Sequence, residues 1–563
     1  MYTSIQILNF KNVKEFNKIK YSGYSEKDEQ KSMISNNLKD IDECHQQWTR
    51  LNDHLFFRPY FAFYFLDLTE LRLYYSRHKD YNNSLILDLK IDFKNQIFIY
   101  KNFNYYSVIG HSGHDNYKIE SVRVNFSIKS LIPNEHLNKI TNFKNDIKME
   151  VMISTVDGLH KIQSPIKIRI KNFHEYNELK KKAIICSKQF YFDSNYAKTF
   201  IWWIELNRMH GYDKLVFYNH SIPNTPELKE AFERNSDFIE IKQLQCYPNF
   251  IDVNNTNKLF ITNDDFKNVY KIDPLFYHLH LEFLCYNECF FENIDKYDYI
   301  AVYDQDESVI PRNLKKFTKL NIDTHVTRND YNNSKCSSSS QHITSYFNEL
   351  KYRLNLTGRY KDLDFKNGNY SFHFLMTLYI KDYTIINLFN ELDLYFKNNS
   401  DFDDKYSFEL TDPNDINQHG KKGVSFNVLI EDKKQHLYAK SIYDLYKKEI
   451  EPFMKRNQKI INKMPEVFSR LFLVGNETTS WMCGKTIHHT QNPLWVSNHY
   501  PEGNNFKNLI WTPQEYGQVS HFRTSLKDLN ERNISIHHFN FDLNYFLCYF
   551  KPISKKLNYN LVF

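Results

Sequence analysis

The chain has 563 residues, too many for one compact hydrophobic core, so two domains are the default. Hydrophobic residues make up 41% and charged residues 25%, which excludes a disordered chain. Lys and Arg number 73 against 67 Asp and Glu, and a net charge of +6 spread without a dominant block argues against a nucleic-acid binder.

Residues 1–45, rich in Lys, Asn, Ser and Glu, read as a flexible stem. Met1 to Asp40 has neither the apolar core of a signal peptide nor a membrane-spanning run, and Leu55 to Leu68 is broken by Arg58 and Asp67. Either the chain is soluble as it stands or an amino-terminal anchor is missing from it. Residues 46–178 read as a β-rich N-terminal domain. Ser84 to Phe93, Gln96 to Tyr100, Val122 to Ile128 and Ile166 to Ile170 are apolar or alternating over strand length, with no helix-length segment between them.

After Lys180-Lys-Lys182 the period changes. Tyr196, Phe200, Trp203 and Ile204 predict a helix that ends near Gly211. Lys214 to Tyr218 and Phe238 to Ile241 read as strands. A helix from Leu275 to Asn287 presents Leu275, Leu279, Phe283, Tyr286 and Phe290 on one face. Helix alternating with strand predicts an α/β fold with a parallel sheet, whose ligands bind beyond the carboxyl ends of the strands. The polar stretch 320–410, with Ser337-Ser-Ser-Ser340, reads as an insertion or mobile loops, and 531–563 as a C-terminal extension.

The next strand carries the chemistry. Tyr299-Ile-Ala-Val-Tyr-Asp-Gln-Asp-Glu-Ser-Val-Ile-Pro311 runs from an apolar strand straight into Asp304, Asp306 and Glu307. Acids at the end of a buried strand are costly unless a cation sits there. Two carboxylates offer hard oxygens to Mn2+ or Mg2+, and a diphosphate and water complete the octahedron. On a strand, Gln305 would face away from that site. Glu307 either orients a ligand of the site or is a solvated strand-end acid.

Eight cysteines show no zinc spacing. Cys285 and Cys289, one helical turn apart, read as two packed thiols, while the even count permits disulfides in a secretory compartment. Asn-x-Ser/Thr sequons at Asn82, Asn125, Asn219, Asn254, Asn332, Asn355, Asn369, Asn398, Asn476 and Asn533 fit a lumenal protein. Aromatic content of 17% suits sugar platforms and suits equally a biased genome rich in Asn, Lys, Ile, Tyr and Phe.

Three segments resemble glycosyltransferase family 92. Trp203-Ile-Glu-Leu-Asn-Arg-Met-His-Gly-Tyr-Asp-Lys-Leu-Val-Phe-Tyr-Asn219 is similar to the family's opening motif. Asn287-Glu-Cys289 followed by Asp304-Gln-Asp-Glu307 and Ile310-Pro311 is similar to its acidic motif, with Glu288 for the usual Asp. Gly484-Lys-Thr-Ile487, His499 and His521-Phe-Arg523 resemble its last motif, with Phe522 for the usual Tyr.

The resemblance implies a GT-A type nucleotide-diphospho-sugar transferase domain over 179–530. It implies a metal-dependent, inverting transfer of a hexose, galactose from UDP-galactose, to a glycan or glycoprotein acceptor in the Golgi. Asp304, Asp306 and His521 would hold Mn2+ (or Mg2+); Tyr218, Asn219, Lys485, His499 and Arg523 would line the donor site. Asn219 also heads a sequon, which a tight nucleotide pocket would leave unglycosylated. Glu477, Asp403 and Asp404 are possible catalytic bases that the sequence does not rank. Two rivals stand beside this reading: an inactive carbohydrate-binding protein that retains the fold, and a two-metal phosphodiester hydrolase. The intact acids count against the first, and the lack of further Asp and His motifs after Pro311 counts against the second.

Overall fold

The computed structural model describes residues 6–7, 49–52, 55–64, 69–78, 85–93, 96–103, 119–127, 147–155, 158–159, 161, 166–168, 170–172, 182–191, 196–221, 225–243, 247–248, 260–261, 282–294 and 296–311. It further describes 342–356, 370–374, 376–379, 382–399, 401–402, 404–416, 422–465, 472–474, 484–490, 495–496, 501–502, 509–512, 517–521, 533–536, 539–541 and 549–562. Met1–Glu178 with Gln243–Leu284 form one compact unit; Leu179–Lys242 with Cys285–Phe563 form another.

In the first unit the described elements are strands, in two five-stranded sheets and a two-residue ladder between Tyr247–Pro248 and Phe260–Ile261. Leu85–Phe93 alternates apolar with polar residues and sits between Gln96–Phe103 and Ile147–Thr155, both antiparallel to it. Lys90 meets Glu150 across the second of these ladders at 2.8 Å.

The second unit is built on a mixed seven-stranded sheet flanked by helices. Its elements in chain order are β1 (Ala183–Tyr191), α1 (Ala197–Met209), β2 (Lys214–Ser221), α2 (Pro226–Arg234), β3 (Ile239–Gln243), α3 (Glu282–Asn293), β4 (Tyr299–Tyr303) and β5 (Glu307–Pro311). Then come α4 (Ile343–Leu356), β6 (Ser371–Phe374), β7 (Met376–Tyr379), α5 (Asp382–Asn398), β8 (Tyr406–Ile416), β9 (Lys422–Ile430), α6 (Lys433–Leu445) and, after a π turn at Tyr446–Ile450, α7 (Glu451–Ile461). The chain closes with β10 (Phe472–Val474), β11 (Lys485–His489), β12 (Leu509–Thr512), β13 (Gly517–His521), β14 (Phe539–Phe541) and α8 (Lys551–Lys556). The sheet order is β3-β2-β1-β4-β11-β6-β12, with β1 parallel to β2 and β4, and β11 antiparallel to β4 and β6. A second sheet runs β5-β13-β7-β10-β14.

The expected helix after Tyr196 is α1, whose Phe200, Trp203 and Ile204 are buried. Gly211 ends it with φ of +80°, a left-handed conformation that glycine reaches without strain. A Cβ there would also come within 3.0 Å of the His342 Cα. The sheet's first strand is β1, not β2; its apolar start, Ala183-Ile-Ile-Cys186, directly follows the lysine run and escapes the sequence reading. The helix expected from Leu275 is described from Glu282 to Asn293. Within 320–410 the structure places α4 and also β6, a strand paired on both sides in the central sheet. The excursion from β7 to β10 carries α5, the β8–β9 hairpin, α6 and α7. Around the last helix, Trp202 packs against Phe550 and Tyr559, and buried Glu205 pairs with Lys556 at 2.5 Å and Arg234 at 3.2 Å. No helix among the described residues is long and apolar enough to cross a membrane.

Cys289 is not one of two packed thiols. It is disulfide-bonded to Cys186, fastening α3 to β1 across a separation of 103 residues. Closing so long a loop restricts the unfolded chain, so Cys186→Ala is expected to cost about 2–4 kcal/mol in urea denaturation. An unchanged midpoint would show that the bond does not restrain the fold.

Two buried histidines make the fold acid-sensitive. Burial pushes His210 down to about 3, and burial with nearby His373 does the same to His488. Both lie below the roughly 6.5 of an unfolded histidine, so on acidification the unfolded chain takes up protons first. Their contribution is present above about pH 6.5 and is lost toward pH 3, at up to about 1.4 kcal/mol per pH unit for each residue. Stability measured from pH 7 to 4 is expected to fall, and His488→Gln to flatten the slope.

Candidate active site

The site lies where three neighbouring strands of the central sheet meet. β4 is buried along its whole length and ends at Tyr303. Asp304, Gln305 and Asp306 form the turn into β5, so Gln305 is not the outward residue of a strand. The Asp304 N–H donates to Glu307 Oε2 at 2.9 Å, and the Glu307 N–H to the Asp304 carbonyl at 3.1 Å, which closes the turn.

The flanking strands each deliver a lysine. In the parallel β1–β4 ladder Ser187 lies opposite Tyr303, which puts Lys188 beside Asp304. Its ammonium stands 2.8 Å from Asp304 Oδ1. In the antiparallel β4–β11 ladder Ala301 faces Ile487, which brings the start of β11 to the same end. There Lys485, 0% exposed, reaches Glu307 Oε2 at 2.9 Å and Asp304 Oδ2 at 3.4 Å. Gly484 lets this strand approach: a Cβ would lie 2.6 Å from the Phe374 carbonyl and 2.1 Å from the His373 ring. The Tyr286 hydroxyl, from α3, donates to Asp304 Oδ1 at 3.1 Å.

Glu307 is therefore no solvated strand-end acid: it is buried and receives a backbone N–H and an ammonium. The α1 motif residues hold it from behind. Trp203 Nε1 donates to the Glu307 carbonyl at 2.8 Å, and Ser308 Oγ bonds Asn207 Oδ1 at 2.8 Å and His210 Nδ1 at 2.9 Å. Asn287 clasps the Val496 backbone from both sides, at 2.8 and 2.9 Å. Trp203, Asn207, Asn287 and Cys289 thus act on the architecture under the acids.

Of the metal ligands expected from sequence, Asp304 and Asp306 lie in this turn, with the Asp304 side chain 17% exposed and Asp306 5%. The backbone of His521 pairs directly opposite Glu307, one residue from Asp306; its side chain lies outside the described residues. Among the described residues no three His, Cys, Asp or Glu side chains converge as a cage. The chemistry of the donors nevertheless fits a hard divalent cation, since Asp304 offers carboxylate oxygens and already holds positive charge at 2.8 Å. Of the expected donor residues, Lys485 joins the acid cluster. Tyr218 is buried within β2, paired with Gln189, and Asn219 follows it opposite Phe190. His499 and Arg523 lie outside the described residues, as do Glu477 and Asp403; Asp404 is exposed beside β8. Sequence reasoning missed Lys188, whose one signal is its place two residues past the apolar run Ala183–Cys186 that opens β1.

Residues 181–361, about a third of the chain, match the family model described as Glycosyltransferase family 92. The match spans Lys188, Tyr286, Asp304, Asp306 and Glu307, while Lys485 and His521 lie beyond it. No curated protein matches the chain.

Proposed function

We propose, on the premise that residues 181–361 belong to glycosyltransferase family 92, that the protein is a metal-dependent, inverting hexosyltransferase of the GT-A type. Its donor in this reading is UDP-galactose and its acceptor a glycan hydroxyl. The observation that carries the reading is Asp304 at the carboxyl end of β4, next to Asp306 and between lysines from both flanking strands. The carboxyl ends of parallel strands are where such sheets bind ligands.

Asp304 and Asp306, with His521, would hold Mn2+ or Mg2+. A cation there supplies Lewis acidity toward the donor diphosphate. The acceptor oxygen forms its bond to the anomeric carbon as the bond from that carbon to the phosphate oxygen breaks. The electron pair leaves with UDP, and the acceptor proton passes to a carboxylate base. Lys485 keeps Glu307 and Asp304 in place, and the Tyr286 hydroxyl steadies one Asp304 oxygen. The Cys186–Cys289 bond and the sequons support a lumenal, Golgi setting.

The test is a panel of UDP-sugars with Mn2+ and glycan acceptors, read by UDP release and by NMR of the product linkage. A β-linked product from an α-linked UDP-hexose supports the reading. Binding of glycans without release of UDP from any donor would favour the inactive binding protein.

A further inference from the structure

Lys188 and Lys485 approach the same carboxylate from opposite sides, yet they are not equivalent. Lys485 is wholly enclosed and spans two carboxylates, Glu307 and Asp304. Lys188 comes from the carboxyl end of β1, keeps 16% of its side chain exposed and stands 2.8 Å from Asp304 Oδ1. An ammonium and a divalent cation sharing one carboxylate would repel each other at this partly buried site. Of the two lysines, Lys188 is the one with room to yield.

We propose that Lys188 is a donor-binding residue that exchanges partners, from Asp304 to the donor diphosphate. The inference rests on the metal-dependent reading above. A diphosphate held at Asp304 through a shared cation lies beside the tip of β1. Lys188 then meets phosphate oxygens within reach of its flexible stem and binds them as a compact point charge. As the bond to the anomeric carbon breaks, negative charge grows on the departing diphosphate, and the Lys188 ammonium faces it there. The pairing with Asp304 keeps the carboxylate and the lysine oriented before donor arrives.

Two affinities should move in opposite directions. Removing the ammonium makes Asp304 a better cation ligand and the site a poorer diphosphate binder. Mn2+ binding followed by EPR is expected to be about fivefold tighter in Lys188→Met than in the wild type. UDP binding at saturating Mn2+, followed by calorimetry, is expected to be about tenfold weaker. Lys188→Arg, which keeps the charge, should hold both within about twofold of the wild type. Loss of both affinities in Lys188→Met would mark a structural residue, and no change in either a surface lysine; each result overturns the proposal. Asp304→Asn separates the two levels of inference. If that variant binds Mn2+ as well as the wild type does, the metal assignment fails and the Lys188 exchange falls with it. If Asp304→Asn loses Mn2+ but Lys188→Met shifts neither affinity, the metal assignment stands and the exchange alone is wrong.

Discussion

Asp304→Asn is expected to lower UDP release by about a thousandfold, because a cation at the departing diphosphate supplies several kcal/mol that nothing else replaces. The substitution is close to isosteric. The Tyr286 hydroxyl can still donate to the remaining oxygen, and the Glu307 N–H still meets the residue 304 carbonyl. The loss should therefore appear in turnover while the melting temperature moves by a few degrees at most. Comparable losses in activity and in folded fraction would instead place Asp304 among the structural residues.

Lys485→Met is expected to be the most destabilising single change near the site. Lys485 is enclosed and the Glu307 side chain is 2% exposed, so the substitution leaves a buried carboxylate without its ammonium. Breaking a buried pair from one side costs about 3–5 kcal/mol, far more than the pair contributes net. Urea denaturation should show that loss, and Lys485→Met combined with Glu307→Gln should recover part of it. A single-variant loss under about 1 kcal/mol would mean that water reaches Glu307, contrary to its burial.

What the sequence revealed follows a physical rule: periodic apolar segments and local chemistry can be read, and partnerships across the sheet cannot. β4 was legible because five apolar residues run into Asp304, and α1 because its buried positions recur and Gly211 ends it. β1 was not, since its four apolar residues abut the Lys180–Lys182 run and the next three, Ser187, Lys188 and Gln189, are polar. With β1 went Lys188, a lone lysine whose meaning appears only when the parallel register sets it against Asp304. The Cys186–Cys289 bond was hidden in the same way, because the local spacing to Cys285 is far shorter than the separation that matters. β6 was concealed by the mostly polar stretch before it, which makes 320–410 look like loop. Lys485 was singled out as a donor contact by resemblance; in the fold its ammonium lies between Glu307 and Asp304.

The central claim, metal-assisted sugar transfer at Asp304 and Asp306, is tested most directly by UDP release from UDP-galactose with Mn2+, for the wild type and Asp306→Ala, with and without EDTA. Release by the wild type that EDTA abolishes and that Asp306→Ala lacks is the expected result. Release that persists in EDTA and in the variant would contradict it, and the acids of this turn would then serve the fold alone.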